Sequence, residues 1–71
     1  MSDKTRLGQF KASVLNYIKQ EGSLRTTKVM VLSSRLNYSP TVAFDIIEDM
    51  VKAGTIKEEQ LRESVRQHLK I

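Results

Sequence analysis

Apolar residues recur at steps of three and four along three successive stretches of this chain, and each stretch ends at a glycine or a turn. Such spacing is the mark of short amphipathic helices packed on one another. Over residues 6–20, Leu7, Phe10, Val14, Tyr17 and Ile18 share one face, while Lys11, Ser13, Asn16, Lys19 and Gln20 take the other. Asp3 or Thr5 is placed to cap the start, and Gly22 to stop the end. Ser23-Leu24-Arg25 is a short connector. A second helix is expected from a Thr26 or Thr27 cap to about Leu36. Its Val29-Met30-Val31-Leu32 run also suits a buried strand, but Val29, Leu32 and Leu36 continue at helical spacing. Asn37-Tyr38 reads as a tight turn. Ser39-Pro40 is a capping hydroxyl followed by proline at the first helical position. The third helix then runs from Pro40 to about Lys52, with Val42, Ile46, Ile47, Met50 and Val51 inward, and Gly54 closes it. Thr55-Ile56-Lys57 reads as one short strand. A fourth helix is expected over about 58–70, with Leu61, Val65 and Leu69 on one stripe.

The chain has 71 residues and no cysteine, so neither a disulfide nor a thiolate metal site can staple it. A domain of this size buries only roughly 60% of its unfolded surface. Packed helices, an oligomer interface or both must therefore stabilise it. With 39% hydrophobic and 28% charged residues, the composition is that of a single globular domain over 1–71. No apolar run approaches a membrane span, and Met1-Ser2-Asp3-Lys4-Thr5-Arg6 has no signal-peptide character. A soluble protein, cytoplasmic or nucleoid-associated, is expected, with no membrane partner.

Charge is unevenly spread. Residues 1–38 hold seven basic and two acidic residues, a balance of +5, whereas residues 39–71 hold five basic and six acidic, a balance of −1. A basic half suggests an anionic partner, most often nucleic acid; an ordinary solvated surface accounts for the same excess.

The phrases Leu15–Gly22 (LNYIKQEG), Leu32–Pro40 (LSSRLNYSP) and Ile46–Ile56 (IIEDMVKAGTI) together resemble the winged helix-turn-helix superfamily. The likeness covers about residues 7–57. It implies a mainly α fold with a minimal β wing, a three-helix core and a C-terminal helix. It also implies duplex-DNA binding with the third helix in the major groove, although some members are protein-interaction modules. Two departures stand out. Only Thr55–Glu59 is left for a wing, and the outward face of the third helix reads Thr41, Asp45, Glu48, Asp49 and Lys52. Three carboxylates facing phosphates oppose close approach.

Catalysis finds little footing. His68 is the only histidine, Gly8, Gly22 and Gly54 are isolated, and Asp45, Glu48 and Asp49 lack partner ligands at a metal-binding spacing. A non-enzymatic protein without cofactor or metal is expected. Arg25, Lys28 and Arg35 lie on or before the second helix, the element that crosses the DNA backbone in this motif. Ser33, Ser34 and the Tyr38 hydroxyl are candidate neutral phosphate contacts, and Lys4, Arg6 and Lys11 candidate extensions. Ser39 and Thr41, with Ala43 and Phe44, form the first turn of the third helix, where base edges are commonly read. A wet helix face with capping hydroxyls explains the same residues. Leu61, Val65 and Leu69 are expected to form a homodimer helix, with packing on their own domain as the other outcome. The expected function is a small duplex-DNA-binding regulator or accessory factor. The alternative is an adaptor bound to a protein partner through the acidic third helix or the C-terminal stripe.

Overall fold

The computed structural model describes residues 2–70. Three helices carry the architecture: α1 (Asp3–Glu21), α2 (Thr26–Arg35) and α3 (Pro40–Lys52). A 3-10 turn over Glu58–Gln60 and a single-turn α4 (Glu63–Arg66) follow. Helix α1 starts earlier than its apolar pattern because Ser2, rather than Asp3 or Thr5, caps it: Ser2 Oγ accepts from the Thr5 N–H at 3.2 Å. Asp3 then lies in the first turn, where the helix dipole favours a carboxylate. Gly22 ends the helix at φ +88°, a left-handed conformation that disfavours any Cβ.

Helix α2 begins without a side-chain cap. Neither threonine serves: Arg25 occupies the cap position, and Thr26 Oγ1 donates instead to Ser64 Oγ at 2.8 Å. The Val29–Leu32 run is helical, with Val29 and Leu32 buried. At the other end Asn37 takes φ +60°, and the Tyr38 N–H donates back to Ser33 O at 2.8 Å, closing the helix. Helix α3 starts as its sequence dictates, with Ser39 Oγ accepting from the Val42 N–H at 3.3 Å and Pro40 in the first turn.

The inward face of α3 is rotated from the expected one. Ala43, Phe44, Ile47 and Met50 are buried, Ile46 and Val51 are half-buried, and Val42 is 43% exposed. Hydrophobicity alone cannot separate Val42 from Ala43; the arc covered by neighbouring elements does. Ala43 and Phe44 therefore belong to the core and cannot meet base edges.

The C-terminal region departs most. Thr55–Lys57 is irregular chain with a bend at Thr55 and Ile56; the Thr55 N–H donates to Met50 O at 2.9 Å while Ile56 plugs the core. No strand pair forms a wing among the described residues. The expected fourth helix is interrupted at Leu61, which is extended and pairs with Leu24 in one parallel bridge. The Leu24 N–H donates to Gln60 O at 2.7 Å and the Arg62 N–H donates to Leu24 O at 3.0 Å. Leu61, Val65 and Leu69 are thereby buried in the same core as Phe10, Val14, Val29 and Ile47. The homodimer helix drawn from this stripe is corrected: its side chains are 2%, 0% and 9% exposed within one chain, leaving nothing for a second copy to cover.

Candidate nucleic-acid interface

Helix α2 separates the basic residues rather than gathering them. Arg25 stands before its first turn and Arg35 at its last, so about 15 Å of helix lies between them at 1.5 Å per residue. Both are exposed. Lys28 leans to the α1 side, with Nζ 5.3 Å from the centre of the Tyr17 ring, a cation–π distance. Arg35 borders a cleft of about 270 Å³ with Asp3, Arg6, Leu36 and Asn37. Arg6 is held internally. Its guanidinium lies 4.4 Å over the Tyr38 ring, pairs with Asp3 at 3.2 Å and reaches the Leu36 and Asn37 carbonyls. Lys4 is exposed at the start of α1 and Lys11 is half-buried.

Several expected polar contacts are already engaged. Tyr38 is half-buried, its ring edge-on to Phe10 at 5.6 Å and covered by Arg6, so it acts first as a packing residue. Ser33 is buried and donates to Met30 O at 2.8 Å, which removes it from any phosphate. The Ser39 hydroxyl caps α3. Ser34 and Thr41 remain exposed. Thr41 lines a cleft of about 470 Å³ together with Met30, Pro40, Phe44, Asp45 and His68.

Between Arg25 and Arg35 the exposed residues of α2 are uncharged: Thr27, Met30, Val31 and Ser34, with Met30 43% and Val31 44% exposed. On α3, Asp45 and Asp49 point to solvent, but Glu48 does not stand open as a third carboxylate. It accepts from the Lys70 backbone N–H at 2.6 Å and from Lys52 Nζ at 3.1 Å. These donors, the backbone one first, hold its carboxyl below the ordinary glutamate range. His68 stacks on Phe44, ring centres 4.2 Å apart and planes within 13°. The last residues described thus lie along one flank of α3.

Sequence reasoning missed Arg62. It lines a depression of about 410 Å³ with Arg25, Thr26, Thr27, Glu63 and Ser64. No local signal marks it, because a bridge between distant segments brings it there. No helix among the described residues is long and apolar enough to cross a membrane. The chain matches no family model, no curated protein and no solved structure.

Proposed function

We propose that this chain binds duplex DNA as a small helix-turn-helix protein, serving as a transcriptional regulator or DNA-associated accessory factor. Helix α2 and its ends meet phosphates through Arg25, Lys28 and Arg35, and the start of α3 meets bases through Thr41. The observation that carries this reading is the exposure of Arg25 and Arg35 at the two ends of a helix joined by one tight turn to a Ser-Pro-capped helix. Guanidiniums spaced along one helix suit a polyanion better than a single small anion.

Gel shifts on random duplex at several salt concentrations test the reading. Binding should weaken steeply with salt, and replacing Arg25, Lys28 and Arg35 together by Ala should flatten the slope by about one unit for each phosphate no longer neutralised. Salt-independent binding, or a triple variant that behaves as wild type, overturns it. A second reading, an adaptor within a larger complex, is favoured by one observation: Met30, Val31 and Val42 are exposed apolar side chains, and Met30 lines the same cleft as the acidic Asp45. A chain that shows no duplex binding at low salt supports that adaptor.

A further inference from the structure

Leu24 and Leu61 face each other across the single parallel bridge, and both side chains point into the core at 0% and 2% exposure. Arg25 and Arg62, the next residue on each segment, continue in extended backbone, at ψ 150° and 152°. Successive side chains of extended chain point to opposite sides, so a buried Leu pair turns the following pair outward together. Neighbouring segments at that register are about 4.8 Å apart. Two exposed arginines thus start from neighbouring backbone positions on the outer surface and line one depression, where like charges opposite one another are destabilising.

Among the described residues neither guanidinium makes a salt bridge or a side-chain hydrogen bond. Glu63 borders the same depression, yet it pairs with neither arginine. The lining also carries hydroxyls: Thr26 Oγ1 donates to Ser64 Oγ at 2.8 Å, and Thr27 adds a further one. Two arginines and three hydroxyls around one depression are complementary to a phosphate oxyanion, which takes planar forked donors well.

We infer that Arg25 and Arg62 form a paired site for one phosphodiester of bound duplex, carrying the interface from α2 onto the C-terminal segment. This rests on the duplex-binding reading above and adds to it a residue from the opposite half of the chain. Arg66, one turn further along, donates to Glu58 O at 3.3 Å and lies outside the depression, which makes it a matched control.

Fluorescence anisotropy of a labelled random duplex, titrated with the full chain over a salt series, decides the matter. Arg62→Ala should weaken duplex binding and lower the slope of log affinity against log salt by a fraction of a unit, and Arg25→Ala with Arg62→Ala should lower it by about one unit, for the one phosphate no longer neutralised. Arg62→Lys should keep most of the slope, Glu63→Gln should raise affinity, and Arg66→Ala should leave the slope unchanged. Because the bridge uses only the backbone of residue 62, and the substitution removes one of two neighbouring like charges, the melting temperature of Arg62→Ala should be no lower than that of wild type. Wild-type binding with an unaltered slope in Arg62→Ala overturns the paired site and leaves the duplex reading standing. Absence of salt-dependent binding by wild type overturns the duplex reading itself. In a separate arm, inorganic phosphate is titrated into the DNA-free protein. Saturable perturbation of the Arg62 Nε–H resonance, with an unaltered duplex slope, assigns the site to a free anion and overturns the phosphodiester.

Discussion

Glu48 shows how one side chain on a helix can serve a distant segment. Its two carboxylate oxygens are divided between Lys52 on its own helix and the backbone N–H of Lys70. Both donors favour the ionised form, so its folded pKa lies below its unfolded value. A depressed pKa contributes stability that is complete above the unfolded glutamate range and is lost as pH falls through the folded value. Glu48→Gln should therefore lower the melting temperature at neutral pH, and the gap from wild type should close as pH drops below the ordinary glutamate range. Thermal unfolding followed by circular dichroism over that pH range checks it; a gap independent of pH contradicts the assignment. Arg6 is the converse case. Its Nε is enclosed without a hydrogen-bond partner, and stacking on Tyr38 at 4.4 Å offsets that cost.

Between α2 and α3 the direction of the chain depends on a single left-handed residue. Asn37 at φ +60° lets the Tyr38 N–H reach back to Ser33 O, and Ser39 then starts α3 at once. Asparagine tolerates this region better than most side chains but less well than glycine. Asn37→Gly should hold or raise stability by up to about 1 kcal/mol, because relief of the left-handed conformation offsets or outweighs the freedom that the unfolded chain gains. Asn37→Val should cost about 1–2 kcal/mol or more, since a β-branched residue pays the full left-handed penalty. Urea unfolding of both variants measures the difference, and equal midpoints would show that the turn is not under this constraint. The helix ends also differ in what they leave free: α3 is capped by Ser39, whereas α2 has no side-chain cap and opens beside two arginines.

On the scale of the molecule, the Leu24–Leu61 bridge ties the α1–α2 connector to the C-terminal segment and closes the core. The radius of gyration is 11.0 Å, close to the roughly 11 Å of a compact chain of this length. A core this thin depends on its C-terminal lid, since Ile56, Leu61, Val65 and Leu69 are all buried against the three helices. Leu61→Ala should cost about 2–5 kcal/mol through reduced burial and the cavity left behind. Because the side chain is internal, the substitution should not change the oligomeric state of the folded protein. Denaturation together with sedimentation checks both; a variant as stable as wild type but of altered oligomeric state would restore the stripe to an interface.

What the sequence determined by itself is local. The three main helices, the Gly22 stop, the Ser39-Pro40 start and the turn at Asn37-Tyr38 follow from apolar spacing and from the stereochemistry of single residues, which act within one or two turns. Arg25 and Arg35 were legible as exposed basic residues because Val29 and Leu32 set the inward face between them. Tertiary structure decided the rest. The Leu61, Val65, Leu69 stripe has helical spacing, yet Leu61 is extended, because two backbone hydrogen bonds to Leu24 outweigh the weak propensity of a short segment. The rotation of α3 that buries Phe44 and exposes Val42 depends on which neighbours cover it. Tyr38 became a packing residue only when Phe10 and Arg6 closed around it. Arg62 reaches Arg25 through a contact between segments far apart in the chain, and no pattern confined to either segment encodes the other's position.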